Sequence, residues 1–167
     1  MDEELDLGHF IIIPEQYKTG IAKCRILYDI DIKKVEYASY QERKIIQLKI
    51  VDSNIDYAHK SADRNGLDAL KQNLSNHMEV LILKEGKITD STFSHIIFRK
   101  DKDWYTSNSP LLGGVMREFL LDEGRITETE IRLDNLSDFD AFMLINAMMP
   151  FDESRVQPII NIMTNET

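Results

Sequence analysis

The sequence predicts a mixed α+β fold, and three observations lead there. Strand-like and helix-like segments are mixed along the chain, and hairpin connections outnumber clean strand–helix alternation. No internal repeat or low-complexity tract imposes a different architecture. A doubly wound parallel sheet would need the regular alternation that is missing here.

The elements follow in order. Residues 1–20 are weakly patterned and punctuated by Pro14 and Gly20. Lys23–Ile30 and Lys33–Tyr40 read as strands separated by Asp-rich turn chemistry, and Lys44–Val51 alternates as a half-buried strand does. The polar Gln41-Glu42-Arg43 between them is a candidate linker. Ser61 or Asp63 can cap a helix running to about Asn73, with Leu67, Leu70 and Leu74 on one face. Glu79–Lys84 and Lys87–Thr89 flank Glu85-Gly86 as a hairpin, and Ser94–Arg99 pairs with Trp104–Thr106 around Lys100–Asp103. After Pro110 a helix starts near Gly114 and stops at Gly124, a C-capping glycine. Thr129–Leu133 is a predicted strand. Phe139–Met149, apolar almost all round, is predicted as a buried helix stopped by Pro150, and Val156–Ile162 as a closing strand.

Composition narrows the function classes. A chain of 167 residues buries ~70% of its unfolded surface, so a core forms without staples. The net charge of −9 argues against nucleic-acid binding, which rests on basic surface. It does not exclude a small anionic ligand held by one or two local donors. Cys24 is the single cysteine; it cannot form an internal disulfide and is expected to be a small buried residue in a reducing compartment. Apolar runs such as Phe10–Ile13 are too short to span a bilayer, and the opening Met-Asp-Glu-Glu is no signal peptide. A cytoplasmic protein without membrane contact is the expectation.

No GxGxxG, P-loop, HExxH, CxxC or GxSxG is present, and His9, His59, His77 and His95 lack metal-ligand spacing, so no metal site is expected. Three local features can carry chemistry. Lys60 lies where an extended segment meets a helix start, beside Arg64; a positive surrounding disfavours the ammonium and favours a nucleophilic amine. The strand and turn from Glu79 to Thr89 deliver Asp90 to a Ser/Thr-rich loop, where a carboxylate could meet a ring-nitrogen cation. Gly113-Gly114 open a helix whose first N–H groups can face an anion. Each also has an ordinary reading: a solvated lysine, an aspartate bonding its own backbone, a plain glycine turn. Together they match what pyridoxal 5'-phosphate needs, namely an amine, an acid and a phosphate cradle.

In order and spacing, these segments resemble the class IV aminotransferases, the pyridoxal-phosphate enzymes of fold type IV. Glu85-Gly86-Lys87-Ile88-Thr89-Asp90 is similar to the family's E-G-x-V-T-E, Trp104-Tyr105-Thr106-Ser107 to its Y-T-P, and Gly114-Val115-Met116-Arg117 to its G-I-T/M-R. Lys60 to Arg64 resembles K-x-x-N-R, and Asn146-Ala147-Met148-Met149-Pro150 the N-A-L-M-P of aminodeoxychorismate lyases.

The resemblance implies a large pseudo-barrel cofactor domain over residues 44–167, with residues 1–43 the remnant of a small N-terminal α/β domain plus linker. It implies Lys60 as the Schiff-base lysine and proton shuttle, and Asp90 against the pyridine nitrogen. Leu112 would pack on the ring. Gly114, Val115 and Met116, with Ala147, would hold the phosphate, with Arg64 also on the cofactor side. Asn146 would lie beside substrate or phosphate, and Thr92, Ser94 and His95 would line the substrate side. The implied activity is aminodeoxychorismate lyase, releasing pyruvate and 4-aminobenzoate, or a D- or branched-chain amino-acid aminotransferase, in a homodimer. The alternative is a degenerate relative that survives as a binding or dimerisation domain.

Departures from the family pattern qualify this. Asp90 is one methylene shorter than the usual glutamate, while His95 and Asp63 stand where asparagines are common. The changes at Asp90 and His95 are expected to retune the site rather than abolish it. The family's upstream phosphate-binding arginine has no counterpart in residues 1–20, where the first arginine of the chain is still to come, at Arg25. A bidentate arginine–phosphate contact is worth ~1.5–3 kcal/mol, so its loss predicts cofactor binding weaker by roughly 10- to 150-fold.

Overall fold

The structure, a computed structural model, describes Gly8 and residues 10–164. The opening Met-Asp-Glu-Glu stretch and His9 lie outside the described residues. The chain divides into two compact units, with the break between Glu42 and Arg43.

The first unit is built on an antiparallel ribbon of β1 (Ala22–Tyr28) and β2 (Ile32–Ser39), in which Ala22 faces Ser39. Asp29 organises the turn: it accepts a hydrogen bond from the Asp31 N–H at 3.1 Å and pairs with Lys33 at 3.0 Å. Those contacts hold its carboxyl below the usual aspartate value. Tyr17 stacks on Tyr37 with centroids 6.0 Å apart. Cys24 is exposed, contrary to the burial expected of it. It lies on a two-stranded ribbon in which neither strand has a buried residue, so there is no core for it to join.

The second unit carries β3 (Gln47–Asp52), α1 (Asn65–Leu70), β4 (Met78–Lys84), β5 (Lys87–Ser91), β6 (His95–Lys100), β7 (Asp103–Ser107), α2 (Val115–Asp122), β8 (Thr127–Thr129), β9 (Ala141–Ile145), β10 (Gln157–Pro158) and β11 (Ile162–Met163). Four strands pair in the order β11-β3-β4-β5, parallel except for the β4–β5 hairpin. Five pair in the order β10-β9-β6-β7-β8. The β5–β6 corner joins the sheets, and Ser107 of β7 donates its hydroxyl to the Ile88 carbonyl of β5. The architecture is mixed α+β, as the irregular alternation of elements predicts.

Turn chemistry explains the hairpins. Glu85 and Gly86 both take positive φ, 53° and 76°, the backbone twist a two-residue hairpin loop needs. Each helix covers one sheet. Leu67 of α1 is buried against Val80 and Ile82 of β4, with Leu70 and Leu74 at the margin, the face predicted from their spacing. Leu120 of α2 packs on Ile97, Trp104, Met143 and Ile145. The α2 helix ends in a Schellman cap: Gly124, at φ 64°, donates to Leu121 O and Arg125 donates to Leu120 O, both at 2.9 Å.

Four expectations are corrected. Phe139–Met149 is not a helix: Ala141–Ile145 is strand β9, paired antiparallel with β6 and buried at every position. A strand covered on both faces reads as a continuous apolar run, which periodicity cannot separate from a buried helix. The predicted strand at Thr129–Leu133 lies earlier, at Thr127–Thr129, leaving one isolated bridge from Arg132 to Lys87. Val156–Ile162 is broken into β10, a 3-10 turn over Ile159–Asn161, and β11, and the two strands join different sheets. Finally, α1 stops at Leu70 rather than near Asn73, and its N-cap is Arg64. Asp63 still accepts from the Asn65 N–H at 2.9 Å, one position ahead of the cap.

Candidate active site

One cavity of about 240 Å³ opens between the start of α1, the β5–β6 corner and the start of α2. All twelve residues singled out from the sequence line it: Lys60, Arg64, Asp90, Thr92, Ser94, His95, Leu112, Gly114, Val115, Met116, Asn146 and Ala147. Tyr57, Leu67, Ser91, Phe93, Leu111 and Gly113 complete the wall. Its volume lies just under the usual ligand-pocket range, which starts at ~300 Å³, and suits one small phosphorylated ring.

The floor is acidic and rigid. Asp90 ends β5 and is 6% exposed. It does not bond its own backbone. Its Oδ2 accepts from the Leu111 N–H at 2.7 Å, and its Oδ1 lies 2.7 Å from His95 Nδ1. Further lone pairs on the two carboxyl oxygens remain available to a ring N–H. His95, 7% exposed, comes from the first position of β6.

The opposite end is the start of α2. Gly114 is its N-cap and has no side chain to occupy the first-turn N–H groups. Its backbone (φ −124°, ψ 129°) suits any residue, so freedom of φ is not why glycine stands there. The reason is space: a Cβ on Gly114 would fall 1.8 Å from His95 Nε2. The imidazole and the helix start are packed directly on one another.

Between these ends lies the turn Ser91–Ser94. Ser91 Oγ accepts from the N–H groups of Phe93 and Ser94, at 3.3 and 3.0 Å, and meets Ser94 Oγ at 2.7 Å. Thr92 Oγ1 donates to Glu79 at 2.8 Å. The hydroxyls expected on the substrate side therefore already serve the protein. On one flank Asn146 Nδ2 donates to Phe93 O at 3.3 Å, and its own Oδ1 accepts from the Met148 N–H at 2.8 Å, which shapes the Asn146–Met149 turn bearing Ala147.

Lys60 lies on the other flank, in the loop between β3 and α1, and is exposed at the cavity's open side. Arg64 secures this loop: its Nη2 donates to Thr92 O at 2.6 Å and its Nη1 to Tyr57 Oη at 3.3 Å, while Tyr57 Oη donates to Ser61 O at 3.2 Å. Arg64 is thus tied to backbone and phenol while it lines the cavity. Lys60 and Arg64 give the rim local positive charge despite the acidic chain.

Sequence reasoning missed three residues. Glu79 is a fully buried glutamate in the apolar β4 run, paired with Arg43 at 3.0 Å. Arg117, 5% exposed, donates to Ser107 O at 2.9 Å and pairs with Glu128, fastening α2 to β7. Its signal was its place at the end of Gly-Val-Met-Arg. Among the described residues no group of His, Cys, Asp and Glu could hold a metal ion, and no helix is long and apolar enough to cross a membrane.

Comparison with known proteins agrees with this geometry. The pattern of the amino-transferase class IV family matches residues 22–153. An uncharacterized protein of Haemophilus influenzae is 36% identical over 145 residues, 86% of this chain and 77% of that one. A crystal structure from Haemophilus somnus, provisionally named a 4-amino-4-deoxychorismate lyase, superposes with a TM-score of 0.79 at 30% identity, over 89% of this chain and 79% of that chain. A hypothetical aminotransferase from Mycobacterium tuberculosis in its PLP-bound form has the same fold, with a TM-score of 0.60 at 13% identity, over 77% of this chain and 53% of that chain. With a match this long and residues of the family's motifs gathered in one cavity, the chain belongs to the class IV aminotransferase family.

Proposed function

We propose that this chain is a pyridoxal-phosphate enzyme that eliminates pyruvate from an aminodeoxychorismate-type substrate, leaving 4-aminobenzoate. The observation that carries this reading is the convergence of Lys60, Asp90 and the α2 N-terminus on a single cavity. The residues present fit the cofactor: an uncapped helix start for the phosphate, a buried carboxylate for the pyridine nitrogen, and an amine at the mouth. When bound, the cofactor supplies an electron sink for the charge left at the substrate α-carbon.

The protein's own groups do the rest. Amides of Gly114, Val115 and Met116, with that of Ala147, would hold the phosphate. Asp90, braced by Leu111 and His95, would hold the ring N–H. Leu112 would pack on the ring face, and Lys60 would take up the proton from the amine-bearing carbon, which keeps no hydrogen in the aromatic product; the balancing proton ends on the departing enolpyruvyl group, which leaves as pyruvate. Two features favour lyase chemistry over transamination: the Asn146–Pro150 segment resembles that of the lyases, and the 30%-identical structure carries a lyase name.

Incubated with aminodeoxychorismate and pyridoxal phosphate, the protein releases pyruvate and 4-aminobenzoate in equal amounts without a 2-oxo acid acceptor. Product formation that requires a 2-oxo acid would replace the lyase reading with transamination. Failure of both assays by cofactor-loaded protein would remove the enzyme reading.

A further inference from the structure

A glutamate with no exposed surface, set in an apolar strand, needs hydrogen-bond partners, because a buried polar group without them is costly. Glu79 has three partners. Its Oε2 accepts from Arg43 Nη1 at 3.0 Å, and its Oε1 accepts from its neighbour's N–H, Val80, at 2.9 Å and from Thr92 Oγ1 at 2.8 Å. Arg43 also lies over the Phe93 ring, 5.3 Å from its centroid. The ion pair therefore grips two consecutive residues of the cavity wall from behind.

From Thr92 the chain of contacts continues. The hydroxyl fixes the residue, whose carbonyl receives Arg64 Nη2 at 2.6 Å; Arg64 in turn holds Tyr57 Oη, and Tyr57 Oη donates to Ser61 O, next to Lys60. Residues 56–63 have neither strand nor helix hydrogen bonding of their own. A loop of that kind keeps its geometry through side-chain ties to a rigid element, and the Arg64–Thr92 tie leads back to Glu79 in the sheet.

We infer that Glu79, with Arg43, is a positioning residue for Lys60: the buried ion pair sets Thr92, Thr92 sets Arg64, and Arg64 sets the loop that presents the amine. This rests on the reading of Lys60 given above. The residue touches no reacting atom, so its effect falls on how well the amine is placed and not on whether the phosphate binds at α2.

Thr92 offers the sharpest test, since the hydroxyl can be removed at nearly constant volume. Two quantities are measured on the full chain: reversible affinity for pyridoxal phosphate, and the rate at which borohydride traps it on the Lys60 peptide. Thr92→Val is expected to slow trapping about 10-fold while changing reversible affinity by less than ~3-fold, and Thr92→Ser to stay within ~2-fold of wild type, the scale one hydrogen bond to a charged group supports. Glu79→Gln is expected to behave as Thr92→Val. Should it fail to fold on melting analysis, the Thr92 pair decides alone. Trapping by Thr92→Val at the wild-type rate, or equal impairment of Thr92→Ser, overturns the inference. Absence of trapping on wild-type Lys60 instead overturns the function proposed above, so the two failures are distinguishable.

Discussion

Replacing Lys60 by alanine is expected to lower turnover by at least ~10²–10⁴-fold, the range that a positioned proton-transfer group supplies, while leaving stability within ±0.5 kcal/mol. The two halves belong together. Lys60 is exposed in a loop between β3 and α1, and no core cluster includes it, so removing it creates no cavity. Large loss of rate without loss of fold is the signature of a group that acts on the substrate. Lys60→Arg should fare no better, because a guanidinium stays protonated and cannot present a neutral amine. Steady-state rates at saturating cofactor, with urea unfolding beside them, check both halves. A Lys60→Ala protein with near wild-type turnover would remove the amine from the mechanism.

The second large effect is steric. Gly114→Ala places a methyl 1.8 Å from His95 Nε2 and 2.4 Å from its Cδ2, distances no relaxed contact tolerates. The imidazole cannot swing aside freely, since Asp90 holds its other nitrogen at 2.7 Å and the ring is 7% exposed. Overpacking typically costs 1–3 kcal/mol, and breaking the Asp90 contact about 1–3 more, so a loss of about 3 kcal/mol is expected. Whatever part falls on the helix start weakens the cofactor, up to ~10²-fold at 1.4 kcal/mol per decade. The cause is specific, which makes it reversible: Gly114→Ala combined with His95→Asn should regain most of the loss. A double-mutant cycle on melting and cofactor affinity tests this, and additivity within ~0.5 kcal/mol would show that the two residues do not collide.

Legibility in the sequence depended on whether the signal was local. The β4–β5 hairpin was readable because Glu85-Gly86 supplies the positive φ its turn requires, and the end of α2 because Gly124 supplies the cap. In β9 the same residue chemistry serves strand and helix alike, and only cover on both faces, a tertiary fact, decides between them. The polar Thr127–Thr129 strand has no apolar alternation to detect and exists because β7 offers it an edge. Pro158 cannot donate to a ladder, which is consistent with the short β10 that ends there.

The site divides in the same way. Lys60, Asp90 and Gly114 were found through motif order, while their convergence was not visible in any window. Arg43 and Glu79 lie 36 positions apart, and Arg64 and Thr92 lie 28 apart, so nothing short-range announces either contact. Buried polar ties of this sort become visible only when the β5–β6 corner brings their elements together.

The central claim is that this cavity presents Lys60 to a pyridoxal-phosphate ring. Reduction with borohydride in the presence of the cofactor, followed by peptide mapping, tests it directly. The added mass should fall on the peptide that carries Lys60 and be absent from Lys60→Ala. Mass on Lys84 or Lys87, which line the neighbouring cavity, or no adduct at all, would contradict the account.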